Sequence, residues 1–165
     1  MPAEGLRPNR VLTGVMYYYC EQRTGLRDHL LMAEAGQLSL VIASDDWFWR
    51  SVVSLAAHRC NRFHTVIGVE DGYMALAHLW QCVEDRAVPE VFILDARGVD
   101  PSLARFVTEA RADDATREVF IAAIGDQSQT LLAVDHVGGS CADPDEMIAV
   151  LERIANAAVA TRSST

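Results

Sequence analysis

From residue 38 onward, apolar and polar positions fall into short alternating blocks. Leu38–Ala43 is an apolar run of strand composition. Asp46 to Arg59 follows with helical spacing, and Trp49, Val52, Val53, Ala56 and Ala57 share a face. Phe63–Ile67 predicts a second strand. Gly72 to Val83 predicts a second helix carrying Met74, Leu76, Ala77, Leu79 and Trp80. Pro89 opens the continuous apolar strand Val91–Leu94, which ends at Asp95. Ser102 to Arg111 is helical, with Leu103, Phe106, Val107 and Ala110 on one stripe, and Val119–Ile124 is a wholly apolar fourth strand. A short turn, Gln127 to Val134, leads to a weak fifth strand around His136–Cys141. Asp143-Pro144 then starts the last helix, with Asp at the N-cap and Pro at the first helical position, followed by Met147, Ile148, Leu151, Ile154 and Ala155.

Strand and helix alternating five times predict a parallel sheet with helices on both faces. Its strands are continuously apolar because both faces are covered. In such folds ligands sit at the carboxyl ends of the strands. Residues 1–37 stand outside the pattern. Val11, Leu12, Val15, Met16 and Tyr19, then Leu26, Leu30 and Ala33 closed by Gly36, predict a helical N-terminal arm. Its apolar faces pack either on the chain's own domain or against a second subunit.

Composition narrows the chemistry. All 14 basic residues are Arg, against 23 acids, for a net charge of −9. Residues 1–37 are balanced, four against four, so the charge belongs to residues 38–165, with ten Arg and 19 acids. Without Lys there is no Schiff-base chemistry and no phosphate-gripping lysine of a P-loop or kinase. The acidic balance and the lack of an Arg-rich stripe argue against nucleic acid. No apolar run approaches the ~20 residues of a membrane span. Cys20, Cys60, Cys82 and Cys141 form no CxxC and read as buried thiols in a reducing cytosol, so a cytoplasmic location is expected. The five histidines show no metal-ligand spacing.

Asp45 and Asp46 end the first strand and Asp95 ends the third. Neighbouring strands bring these carboxylates to one rim, where their mutual repulsion calls for a cation or for proton chemistry. Mg²⁺ suits such a set, and an Asp there can form an aspartyl phosphate. The alternative is that Asp45 and Asp46 cap the first helix and Asp95 merely opens a loop. Trp49 belongs on the core stripe, whereas Trp47 and Phe48 are expected to be partly exposed, either as a docking patch or covered by the N-terminal arm.

These pieces in their order resemble the receiver domain of two-component response regulators over residues 38–160. The resemblance rests on Ser44-Asp45-Asp46 with Arg50, Val69-Glu70-Asp71-Gly72 with Ala75-Leu76, and Pro89-Glu90-Val91-Phe92-Ile93-Leu94-Asp95. It continues through Arg111-Ala112-Asp113-Asp114-Ala115-Thr116-Arg117 to Asp143-Pro144-Asp145-Glu146-Met147. It implies a doubly wound, flavodoxin-like five-stranded parallel sheet in the order 2-1-3-4-5; residues 1–37 then stand outside it as the helical extension, and 161–165 are expected as a disordered tail. It implies Asp95 as phosphoacceptor, Asp45 and Asp46 as the metal-binding pair, and the backbone carbonyl of Arg97 as the third protein ligand of Mg²⁺. If Arg50 fixes the register, Ser44 replaces the first acid and Asp45 is the second. Implied partners are a sensor histidine kinase or another signalling protein, with no nucleic acid and no membrane.

The departures are equally legible. Gly125 stands where the family carries a Ser or Thr hydroxyl, Ser140-Cys141 where it carries Lys-Pro, and Val99 in place of a loop proline. Only 15 positions lie from Gly125 to Ser140, room for a turn or two of helix. No Arg occurs between Arg117 and Arg153, so strand five offers the acidic site no cation. The expectation is a stand-alone, non-enzymatic signalling module working by protein–protein contact, with an Mg²⁺-dependent aspartyl-phosphate site. The alternatives are a phosphorylation-independent pseudo-receiver that dimerises through its arm, or a small Mg²⁺-dependent phosphohydrolase.

Overall fold

A computed structural model describes residues 37–139, 141 and 143–164; the N-terminal arm expected for 1–37 lies outside the described residues, apart from Gln37, as does Ser140. Five strands, β1 (Leu38–Ala43), β2 (Phe63–Val69), β3 (Val91–Asp95), β4 (Phe120–Ile124) and β5 (His136–Gly138), form one sheet in the order β2-β1-β3-β4-β5. Every pairing is parallel. Among the described residues the α-helices are α1 (Trp47–Cys60), α2 (Gly72–Glu84), α3 (Pro101–Ala112) and α4 (Pro144–Arg162). This is the doubly wound 2-1-3-4-5 sheet that the sequence predicts.

Alternation along the strands divides the core in two. Leu38, Leu40, Ile42, Val91 and Ile93 face α1 and α4, whereas Val41, Ala43, Phe92 and Leu94 face α2 and α3. The central strand β3 is buried throughout, as is β4. At roughly 1.5–3 kcal/mol for each fully buried large apolar side chain, this two-sided burial is what fixes strand register and helix placement.

Each helix begins at an Asp whose carboxylate accepts backbone N–H bonds: Asp46, Asp71, Asp100 and Asp143. Such a cap contributes about 1 kcal/mol and places the four N-termini at the carboxyl end of the sheet. On α2 the buried positions are Ala75, Leu76, His78 and Leu79, while Met74 and Ala77 face solvent. Gly72 opens that helix against Ser102 of α3, whose Oγ accepts the Gly72 N–H at 2.8 Å; a Cβ at Gly72 would stand 2.2 Å from the Ser102 carbonyl oxygen.

Two details depart from the sequence reading. Between β4 and β5 the chain makes a single 3₁₀ turn, Ser128–Thr130, the short end of what was expected. At the other end α4 continues to Arg162, so Thr161 and Arg162 belong to the helix and not to a tail. The Ser163 N–H bonds the Val159 carbonyl at 3.2 Å, and Arg162 Nη1 reaches Glu90 Oε1 at 3.3 Å, which carries the last turn past residue 160.

Candidate functional site

The end of β3 positions Asp95. Because Ala43 pairs with Leu94, the residue that follows β1, Ser44, stands beside Asp95. Ser44 Oγ donates to Asp95 Oδ2 at 2.5 Å, and both side chains are buried. Arg50 donates to the Ser44 carbonyl, which holds this register.

The chain then turns at Ala96, and Arg97 folds back over the carboxylate. Its backbone N–H donates to Asp95 Oδ1 at 3.1 Å, its Nε to the same oxygen at 2.9 Å, and its Nη2 to Oδ2 at 2.7 Å. The same Nη2 donates to Asp46 Oδ2 at 2.9 Å. The fork on Asp95 is the bidentate geometry in which guanidinium and carboxylate bind most strongly. Beneath it lies Trp49, whose ring centroid is 5.1 Å from the guanidinium carbon, a cation–π contact. The indole Nε1 of Trp49 has no hydrogen-bond partner among the described residues.

Electrostatics follow from this geometry. The hydrogen bonds it donates to Asp95, and then to Asp46, raise the Arg97 pKa further, so it stays a cation at any working pH. Asp46 is held below the usual carboxylate range by the Trp49 N–H first and by Arg97 second. Asp46 is thus both helix cap and ion-pair partner. Burial raises the thiol of Cys141, which accompanies Ser140 where the family carries Lys-Pro.

The expected site residues therefore divide. Asp46, Asp95 and Arg97 converge, and Ser44 joins them. Asp45 does not: it is exposed and makes no hydrogen bond or ion pair among the described residues. Arg97 enters through its side chain, a role the sequence reading missed when it counted only the carbonyl. The signal was present, since Arg97 lies two residues after Asp95 in the loop that follows β3.

Gly125 explains how the loop lies down. Its φ is +136°, and a Cβ there would come within 2.3 Å of the Ala96 carbonyl carbon and the Arg97 nitrogen. Only glycine admits both the backbone conformation and that approach. Bonds from Ala96 N–H to Ile124 O and from Gln127 N–H to Ala96 O, both 2.8 Å, clamp the loop onto the end of β4.

As arranged, these residues do not fit a resident divalent metal. Both Asp95 oxygens are engaged, a guanidinium nitrogen bridges Asp95 and Asp46, and among the described residues no three His, Cys, Asp or Glu side chains gather as a ligand set. Among the described residues, no helix is long and apolar enough to cross a membrane.

No protein-family model matches the sequence, and no curated protein matches it. Solved structures do. The chain is similar to the phosphorylated cyanobacterial phytochrome response regulator RcpA, with TM-score 0.59 and 16% identity over 72% of this chain and 91% of that one. It is similar to the chemotaxis response regulator CheY4 of Vibrio cholerae, with TM-score 0.57 and 17% identity over 72% and 98%. It is also similar to the Mn²⁺-bound form of the response regulator Rcp1, with TM-score 0.58 and 14% identity over 71% and 91%. Identities this low establish the fold alone, and the fold is that of a receiver domain.

Proposed function

From a receiver fold whose acidic end is closed by its own arginine, we propose that the chain is a divergent receiver-like module of intracellular signal transduction. It works in the cytoplasm by contact with another signalling protein, independently of phosphorylation at Asp95, and carries out no catalysis of its own. One observation carries this reading: Arg97 and Ser44 together satisfy both oxygens of the carboxylate that would have to attack a phosphoryl donor. Gly125, which supplies no hydroxyl, and the lack of a strand-five cation point the same way. The assignment of residues 1–37 as a dimerising arm and of 38–160 as the receiver-like body belongs to this proposal.

A second reading has its own support. RcpA is phosphorylated and Rcp1 binds Mn²⁺ in the same fold. Arg97, a third exposed, would then swing out to admit Mg²⁺ to Asp46 and Asp95 and leave Asp95 as phosphoacceptor for a sensor histidine kinase. Incubation with acetyl phosphate and Mg²⁺ followed by intact-mass measurement separates the two. The first reading expects no phosphoryl adduct on the wild-type protein. An adduct that disappears in Asp95→Asn would replace it with the second. Phosphoester turnover lost in that variant would instead establish a phosphohydrolase.

A further inference from the structure

Most of the net charge of −9 lies at one end of the domain. Segments 44–48, 70–74, 95–101, 125–127 and 143–146, which follow the strands, hold ten acids and one base, Arg97, and the side chains of Arg50, on the Ser44 carbonyl, and Arg105, over Tyr73, bring two more guanidinium groups to this end. With these three arginines counted the end keeps an excess of seven negative charges, while the rest of residues 38–165 carries nine acids and seven arginines. Local structure accounts for much of this. Four of the acids are N-caps, and Asp145 and Glu146 occupy the first turn of α4, where the helix dipole favours them. Asp45, Glu70 and Asp126 are exposed and cap nothing.

Several of the large apolar side chains left in solvent lie at the same end. Trp47 is 69% exposed, Phe48 62%, Tyr73 53% and Val99 83%. Tyr73 already lies beneath Arg105, 5.7 Å away. Trp47 and Phe48 meet edge to face at 5.9 Å and contribute little to either core. A groove of about 280 Å³ beside Val99, walled by Pro101, Leu103 and Leu131, adds an apolar recess at this end.

We propose that this rim, centred on Trp47, Phe48 and Asp45, docks a basic, apolar-anchored segment of a partner protein. The occupant is fixed by charge: a field of this sign repels nucleic-acid phosphates and anionic lipid and draws in Lys and Arg. Exposed indole and phenyl faces hold such cations by cation–π contact and anchor apolar side chains, and buried aromatics of this kind dominate interface energies. Asp95 and Asp46 are withdrawn from the task by Arg97, so the outer acids do the steering. The surface deepens the reading of the chain as a contact module. It is independent of chemistry at Asp95, whose modification by acetyl phosphate can succeed or fail without altering it.

The test is titration of the full chain with a synthetic amphipathic peptide of Leu, Lys and Arg at low and physiological salt. The comparison runs across wild type, Trp47→Ser/Phe48→Ser, Asp45→Asn/Glu70→Gln, and a charge-matched control at the opposite end, Glu84→Gln/Glu118→Gln. We expect binding that weakens with salt and at least about tenfold loss in the aromatic pair. The rim-acid pair should also lose affinity, while the control should bind as wild type does. Equal loss in the control would reduce the effect to net charge and overturn the proposal, as would no binding by the wild type. Sedimentation of the same proteins guards against self-association: a dimer that the aromatic substitutions dissolve would replace the partner segment with a second copy.

Discussion

Replacing Arg97 by alanine tests whether the guanidinium is the cation of this site. Three charge-assisted side-chain bonds are lost, two to a carboxylate only 7% exposed and one to Asp46, which is 38% exposed. Removing one partner of a fully buried pair costs about 3–5 kcal/mol. Here a third of the arginine side chain meets solvent, water takes over part of its role, and the Asp46 contact is screened. The expected loss is therefore about 1–3 kcal/mol, which for a chain of this size lowers the Tm by roughly 3–10 °C. Urea unfolding of Arg97→Ala, Asp95→Asn and the double variant isolates the pair, with an expected coupling of about 1–2 kcal/mol. Mg²⁺ supplies the second arm. In Arg97→Ala the freed carboxylates repel, so millimolar Mg²⁺ should raise the Tm, whereas it should leave the wild type unchanged. A coupling near zero, or equal stabilisation of both proteins by Mg²⁺, would refute the reasoning and leave Arg97 a loosely held surface residue.

Two further outcomes follow from the same structure. Gly125→Ala forces a side chain into positive φ and onto the Ala96–Arg97 peptide at 2.3 Å, so backbone strain and overpacking together should cost about 2–5 kcal/mol in urea unfolding; a loss below ~0.5 kcal/mol would mean the loop does not lie on β4. Burial depresses the pKa of His78 below its ordinary 6.5, so the folded chain resists a proton that the unfolded chain accepts. The stability held by neutral His78 is complete above pH 6.5 and declines as pH falls toward its folded pKa. His78→Gln should flatten the stability profile in that window, and an unaltered slope across it would show that the imidazole does not set it.

The fold was legible because its signals are redundant. Continuous apolar strands, an Asp at each helix start and the four-residue stripe of α3 all favour the same sheet, and each element boundary moves by only a few residues. Where the reading slipped, tertiary geometry decided. On α2, Met74 and Ala77 are apolar at helical spacing yet face solvent, and the buried stripe runs through Ala75, Leu76, His78 and Leu79. The candidate site was legible as a list of carboxylates but not as an arrangement. Which of Asp45 and Asp46 turns inward depends on the Ala43–Leu94 register, and the direction of the Arg97 side chain depends on a loop conformation that Gly125 permits.

The departures from the receiver pattern are therefore one structural change rather than several. With no hydroxyl side chain at position 125, the Ala96–Arg97 peptide occupies the space that a Cβ would need. With that peptide lowered, the Arg97 guanidinium reaches Asp95 and Asp46 and supplies the positive charge that strand five lacks. A serine introduced at 125 would collide with the loop before reaching any ligand. A lysine introduced after strand five would meet carboxylates already neutralised. Ser44 completes the enclosure by taking the remaining acceptor capacity of Asp95 Oδ2. What remains of the acidic character faces outward, at Asp45, Glu70 and Asp126 beside Trp47 and Phe48. On the proposed reading, the chemistry left to this end of the molecule is recognition at its surface rather than group transfer at its centre.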